Sequence, residues 1–99
     1  MEDMLKAADC LLDPGREHWE RMHAVQDLEW FGPVALPYLF EGANLDWSHD
    51  PNMMGLIGDT IANIWRKEGV LMTAPTVGLP QLTIAQIETH RSFFREPKS

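Results

Sequence analysis

The residues whose types could carry chemistry are four histidines, one cysteine and fifteen acids in a chain of 99. His18 and His23 stand five positions apart, about 140° around a helix. They therefore miss the side-by-side pair of histidines, with a Glu between, that a zinc protease uses. His23 and Asp27 are four apart and can pair on a helix surface, an arrangement far commoner as a plain surface contact than as a catalytic dyad. Asp46, His49 and Asp50 fall within one turn and are the one set with metal-ligand types, but they lack the length and the glycine of a calcium loop. N-capping and loop hydrogen bonds are the expected work of that turn. Cys10 lies in the apolar run 7–12, where burial raises a thiol pKa and blunts it as a nucleophile. A single cysteine also excludes an intramolecular disulfide and a cysteine-rich zinc site. No phosphate-cradling glycine loop or nucleophile elbow occurs. The expectation is a protein that is not an enzyme, with no metal and no other cofactor.

The elements that position these residues read as helices throughout. Met4, Leu5, Ala8, Leu11 and Leu12 at helical spacing predict a first helix over 2–12, stopped by Asp13-Pro14-Gly15. A second helix is expected over 16–31. It closes at Gly32, and Pro33 restarts a third over 33–43, so short a break that a helical hairpin is expected there. The second helix is apolar on two sides. Ala24, Val25, Leu28 and Phe31 fall on one; Trp19, Met22, Gln26 and Trp30 fall on the other, with Glu20 and Asp27 along one boundary and Glu29 along the other. Such a helix either lies between two layers or buries one face and offers its tryptophans to a partner.

The polar turn 44–50, NLDWSHD, carries Trp47 at its middle, a residue that either folds back onto the core or stands at a binding edge. Asp50 as N-cap and Pro51 at the first helical position open a fourth helix over 51–68, closed by Gly69. Its inner face carries Met53, Ile57, Ile61 and Ile64. Gly55, Gly58 and Ala62 make a small-residue stripe on the opposite side, where the bulky stripe of Trp19, Met22 and Trp30 is expected to nest. After a loop over 70–81, Thr83 and Gln86 match a capping box that opens a fifth helix over 84–95. Arg91, Arg95 and Lys98 form its basic end. The chain thus reads as a single all-α domain over 1–99, with about five helices in antiparallel hairpins.

A weak internal repeat runs through it. Asp13-Pro14 and Asp50-Pro51 are 37 residues apart, as are Gly32 and Gly69, while Val25 and Leu28 match Ile61 and Ile64 at a shift of 36. A period near forty built of helix pairs is the mark of a helical solenoid. With Ala24, Ala35, Leu36, Pro37, Leu39 and Ala62 added, the segment 21–69 resembles HEAT-like repeats of the short bacterial type. That resemblance implies a right-handed helical repeat serving as a scaffold or binding module, and it brings no catalytic residue. Trp30 and Phe31 are bulkier than the family pattern before the glycine, and 70–81 does not read as a regular third repeat. A small irregular bundle yields the same helix pattern.

The net charge is −7, and the first 59 residues hold twelve of the fifteen acids. That balance argues against nucleic acid or an anionic membrane as the main ligand. No apolar run approaches the ~18 residues of a membrane span, and the acidic start is unlike a secretion leader, so a cytoplasmic location is expected. Together these features predict a protein-binding module, in its sharpest form a small acidic immunity or inhibitor protein that covers a basic toxin or nuclease. Acids speed capture and aromatic anchors hold the partner. The expected contacts are Glu20, Asp27, Trp30, Asp46, Trp47 and Asp50. The competing expectation is an assembly adaptor that self-associates through the Trp19/Trp30 face.

Overall fold

Apolar residues three and four apart recur along most of the chain, and the computed structural model, which describes residues 2–94, turns each such stretch into a helix. The elements are α1 (Glu2–Leu12), α2 (His18–Phe31), a 3₁₀ turn (Gly32–Ala35), α3 (Leu36–Ala43), α4 (Asn52–Lys67) and α5 (Gln81–Phe94). The expected end at Arg95, and Lys98 beyond it, lie outside the described residues. The described part measures 50 × 30 × 21 Å. None of its helices is long and apolar enough to cross a membrane.

α4 is the central element. Met53, Ile57, Ile61 and Ile64 are buried as expected, and so are Gly58, Thr60, Ala62 and Trp65, because α2, α3 and α5 all pack on it. α1 packs on α2 and, through Leu11 beside Gly42, on α3; its buried residues are Met4, Ala7, Ala8 and Leu11. The repeat-related residues Val25, Leu28, Ile61 and Ile64 are all core residues, no more than 1% exposed.

Four local expectations are corrected. α2 starts at His18 rather than residue 16, because the Glu17 N–H donates to Glu20 Oε1 at 3.2 Å and satisfies the helix start there. The third helix begins as a 3₁₀ turn. Pro37 has no N–H to give the Pro33 carbonyl, which instead accepts from Leu36, one residue nearer. With that corner in between, α2 and α3 do not close into a hairpin at Gly32; each leans on α4. Finally, α5 begins at Gln81, so Thr83 sits one turn inside the helix instead of capping it, with its hydroxyl donating to the Met54 carbonyl at 3.0 Å.

That early start of α5 decides what covers the small-residue stripe of α4. A Cβ on Gly58 would lie 2.7 Å from the Thr83 carbonyl oxygen and 3.0 Å from Gln86 Cβ. The missing side chain lets two backbones approach, and the helix that approaches is α5. Trp19 and Trp30 of α2 do not nest there.

Candidate functional site

The six expected contact residues divide between two surfaces. The first is the outer side of α2. Ala24, Val25, Leu28 and Arg21 face inward and are buried, which turns Trp19, His23, Gln26, Asp27 and Trp30 to solvent. Trp30 is 88% exposed and Trp19 61%. Eleven residues apart, they share one face at a separation of about 16 Å. The Trp19 ring meets His23 edge-on, with centroids 6.1 Å apart. Glu29, on the far boundary, accepts from Asn63 of α4 and so braces α2 on the central helix.

Beside this face runs a groove of about 480 Å³ between α1 and α2, with Asp3, Lys6, Cys10, Glu20, His23 and Asp27 among its walls. Glu20 is partly spent on structure: it caps α2 and accepts from Arg16 Nη1 at 3.1 Å. That bond raises the Arg16 pKa further. Cys10 is half-buried, its Sγ 3.5 Å from the Glu20 carbonyl oxygen, and burial pushes its pKa up from the ordinary thiol value. The thiolate needed for nucleophilic attack is disfavoured there.

The second surface is a pocket of about 600 Å³ where the α1–α2 and α3–α4 loops meet. Pro14, Arg16, His18 and Arg21 form one wall; Asp46, Trp47, His49 and Asp50 form the other. Asp50 does not cap α4 with its side chain. Its carboxylate pairs with His18 Nδ1, tying the start of α2 to the loop before α4. Asp46 accepts from the Ser48 N–H at 2.9 Å, and this bond, with that of the Ser48 hydroxyl, lowers its pKa below the ordinary carboxylate value.

Trp47 settles the choice its sequence context left open. It folds back, is only 4% exposed, and donates from its indole nitrogen to the Gly42 carbonyl at 2.7 Å. It is therefore a platform inside the pocket wall rather than an exposed anchor, and presents almost no area to a protein partner. Its ring lies under the guanidinium of Arg21, with Arg21 Cζ 4.1 Å from the ring centroid. Arg21 is 9% exposed, donates from Nε to the Leu11 carbonyl at 2.9 Å, and has its pKa lowered chiefly by burial.

Arg21 and His18 were not among the expected contacts. The signal for Arg21 was present: it falls on the same helical face as Ala24, Val25 and Leu28, and a charge on a core face needs a partner. His18 pairs with a residue 32 positions away, which no local pattern encodes. Among the described residues, no group of three or more His, Cys, Asp or Glu side chains is placed to hold a metal ion. In comparisons with protein-family models, curated proteins and solved structures, nothing matches this chain.

Proposed function

We propose that this chain is a non-enzymatic protein-binding module that engages a partner with a basic surface through the outer face of α2. One observation carries this reading: Trp30 and Trp19 stand exposed on a single helix face, bordered by Glu20 and Asp27. Exposing two tryptophans leaves a large apolar area in water, and such area supplies most binding energy when a partner covers it. The bordering acids add attraction for lysines and arginines and speed encounter. An acidic immunity or inhibitor protein that masks a basic toxin or nuclease is the form this takes. The HEAT-like resemblance belongs to the same proposal, supported by the matched core positions Val25/Ile61 and Leu28/Ile64, and so does a cytoplasmic location, which suits the free Cys10 thiol.

Affinity capture from the lysate of the native host tests it, at low and moderate salt, with the wild-type chain beside a Trp30→Ala/Asp27→Lys variant. The expected result is one basic protein retained by the wild type, more weakly at moderate salt, and lost by the variant. Equal retention by both chains would overturn the assignment of this face. Self-association through the same tryptophans is the second reading, favoured by the same exposed pair. Sedimentation equilibrium separates the two, because a dimer that Trp30→Ala dissolves assigns the face to a second copy.

A further inference from the structure

We propose that the pocket between the α1–α2 and α3–α4 loops binds a small zwitterion carrying a carboxylate and an ammonium group, of the α-amino-acid class. The starting point is Arg21. Its stem is buried, its Nε is taken by the Leu11 carbonyl, and one face of its guanidinium lies on Trp47. Its two terminal nitrogens have no hydrogen-bond partner among the described residues. Among the described residues no buried side-chain nitrogen is left without a partner, so those two nitrogens keep some exposure to solvent, and Arg21 lines the pocket. A guanidinium held rigid, with its outer donors unclaimed, is a ready fork for a carboxylate.

The rest of the pocket decides the second charge. Arg16 is already engaged by Asp13 and Glu20, at 3.5 and 3.1 Å. The Asp50 carboxylate is paired with His18. His49 lines the same wall as Asp46, which Ser48 holds in place and ionised. A simple anion that reaches Arg21 therefore meets Asp46 and Asp50, and a simple cation that reaches Asp46 meets Arg16 and Arg21. A ligand with both charges pairs its carboxylate with Arg21 and its ammonium with Asp46, so the acids around Arg21, Asp13 and Asp50, oppose it less than they oppose a simple anion. Pro14 and Trp47 supply apolar surface for an aliphatic side chain, and about 600 Å³ is within the usual range for small-molecule sites. This site is separate from the α2 face and stands whether or not that face binds a protein.

The test is an NMR titration of the ¹⁵N-labelled full chain, following the Trp47 indole N–H and the Arg21 Nε–H. Three matched probes are used: leucine, leucinamide, which lacks the carboxylate, and 4-methylpentanoate, which lacks the ammonium. Leucine is expected to shift both signals saturably, with an apparent Kd about fivefold or more below either single-charge analogue. Asp46→Asn keeps an acceptor for the Ser48 N–H while removing the charge. It is expected to weaken leucine by about fivefold and to bring 4-methylpentanoate level with it. The proposal is overturned if 4-methylpentanoate binds the wild type as tightly as leucine, if Asp46→Asn leaves leucine binding unchanged, or if leucine causes no saturable shift. Because Asp46 is exposed and its bend is retained in the variant, the outcome does not depend on disturbing the buried Arg21.

Discussion

Gly55 and Gly58 lie three residues apart in one helix and should respond oppositely to the same change. A Cβ on Gly55 meets nothing within 4 Å, so Gly55→Ala is expected to stabilise the fold by about 0.5–1 kcal/mol through helix propensity alone. On Gly58 the new Cβ meets the Thr83 carbonyl oxygen at 2.7 Å, and that backbone cannot swing aside as a side chain could. Gly58→Ala is expected to cost about 1–3 kcal/mol net, as overpacking typically does. Urea midpoints of the two variants check this; equal stabilisation by both would mean that α5 does not approach α4 closely. The presence of two glycines within a helix was visible in the sequence, and it pointed to close packing. Which of them is in contact, and with which helix, depends on where α5 begins.

At the scale of elements, the loop between α4 and α5 closes its turns with its own backbone bonds and is tied to the rest of the fold by side chains. Leu71 and Leu79 anchor it to the core, while Arg91 reaches from α5 to the Leu71 carbonyl at 2.8 Å and the Ala74 carbonyl at 2.6 Å, with Glu88 bracing its third nitrogen at 2.6 Å. The arginine is only 14% exposed, so its charge-assisted bonds to the two carbonyls are partly shielded from water, while the Glu88 pair lies at the surface. Arg91→Met is expected to cost about 1–3 kcal/mol. It should also speed hydrogen exchange at the Thr73 and Ala74 amides, whose bonds to the Val70 carbonyl close that turn. Unchanged exchange there would show that Leu71 and Leu79 suffice. The sequence placed Arg91 at a basic helix end and assigned it to the helix dipole. Its reach to a loop 17 and 20 residues earlier is a tertiary contact.

For the whole molecule the relevant quantity is the uneven charge. Lys6, Arg16 and Arg21 are the only Lys or Arg residues in the first 59, against twelve acids, and Arg16 is already paired with Asp13 and Glu20. Repulsion among the remaining acids opposes compaction and is screened by salt. Raising salt from about 0.02 M to about 0.3 M is therefore expected to raise the urea midpoint, although exposed pairs such as Arg16–Glu20 weaken. A fall in the midpoint would mean that the ion pairs outweigh the repulsion.

Helix existence was determined by the sequence itself, because apolar residues at a period of 3.6, Gly32 and Gly69 at φ +76°, and prolines at helix starts act locally. The inner faces of α4 and of one side of α2 followed from the same period, as did that of α1 except at Leu5, which is 45% exposed. What only the tertiary structure decided was the choice between equivalent local options. Both sides of α2 are apolar, and it is α5, not the tryptophan side of α2, that packs on Gly58 of the small-residue stripe of α4. Trp47 went inward because Gly42 offers its indole an acceptor and Arg21 a cation. Asp50 turned from capping α4 to pairing with His18 because the two loops meet. Gly42 is only five residues before Trp47, but the other partners in these choices lie far apart in the chain and meet only once the helices have packed.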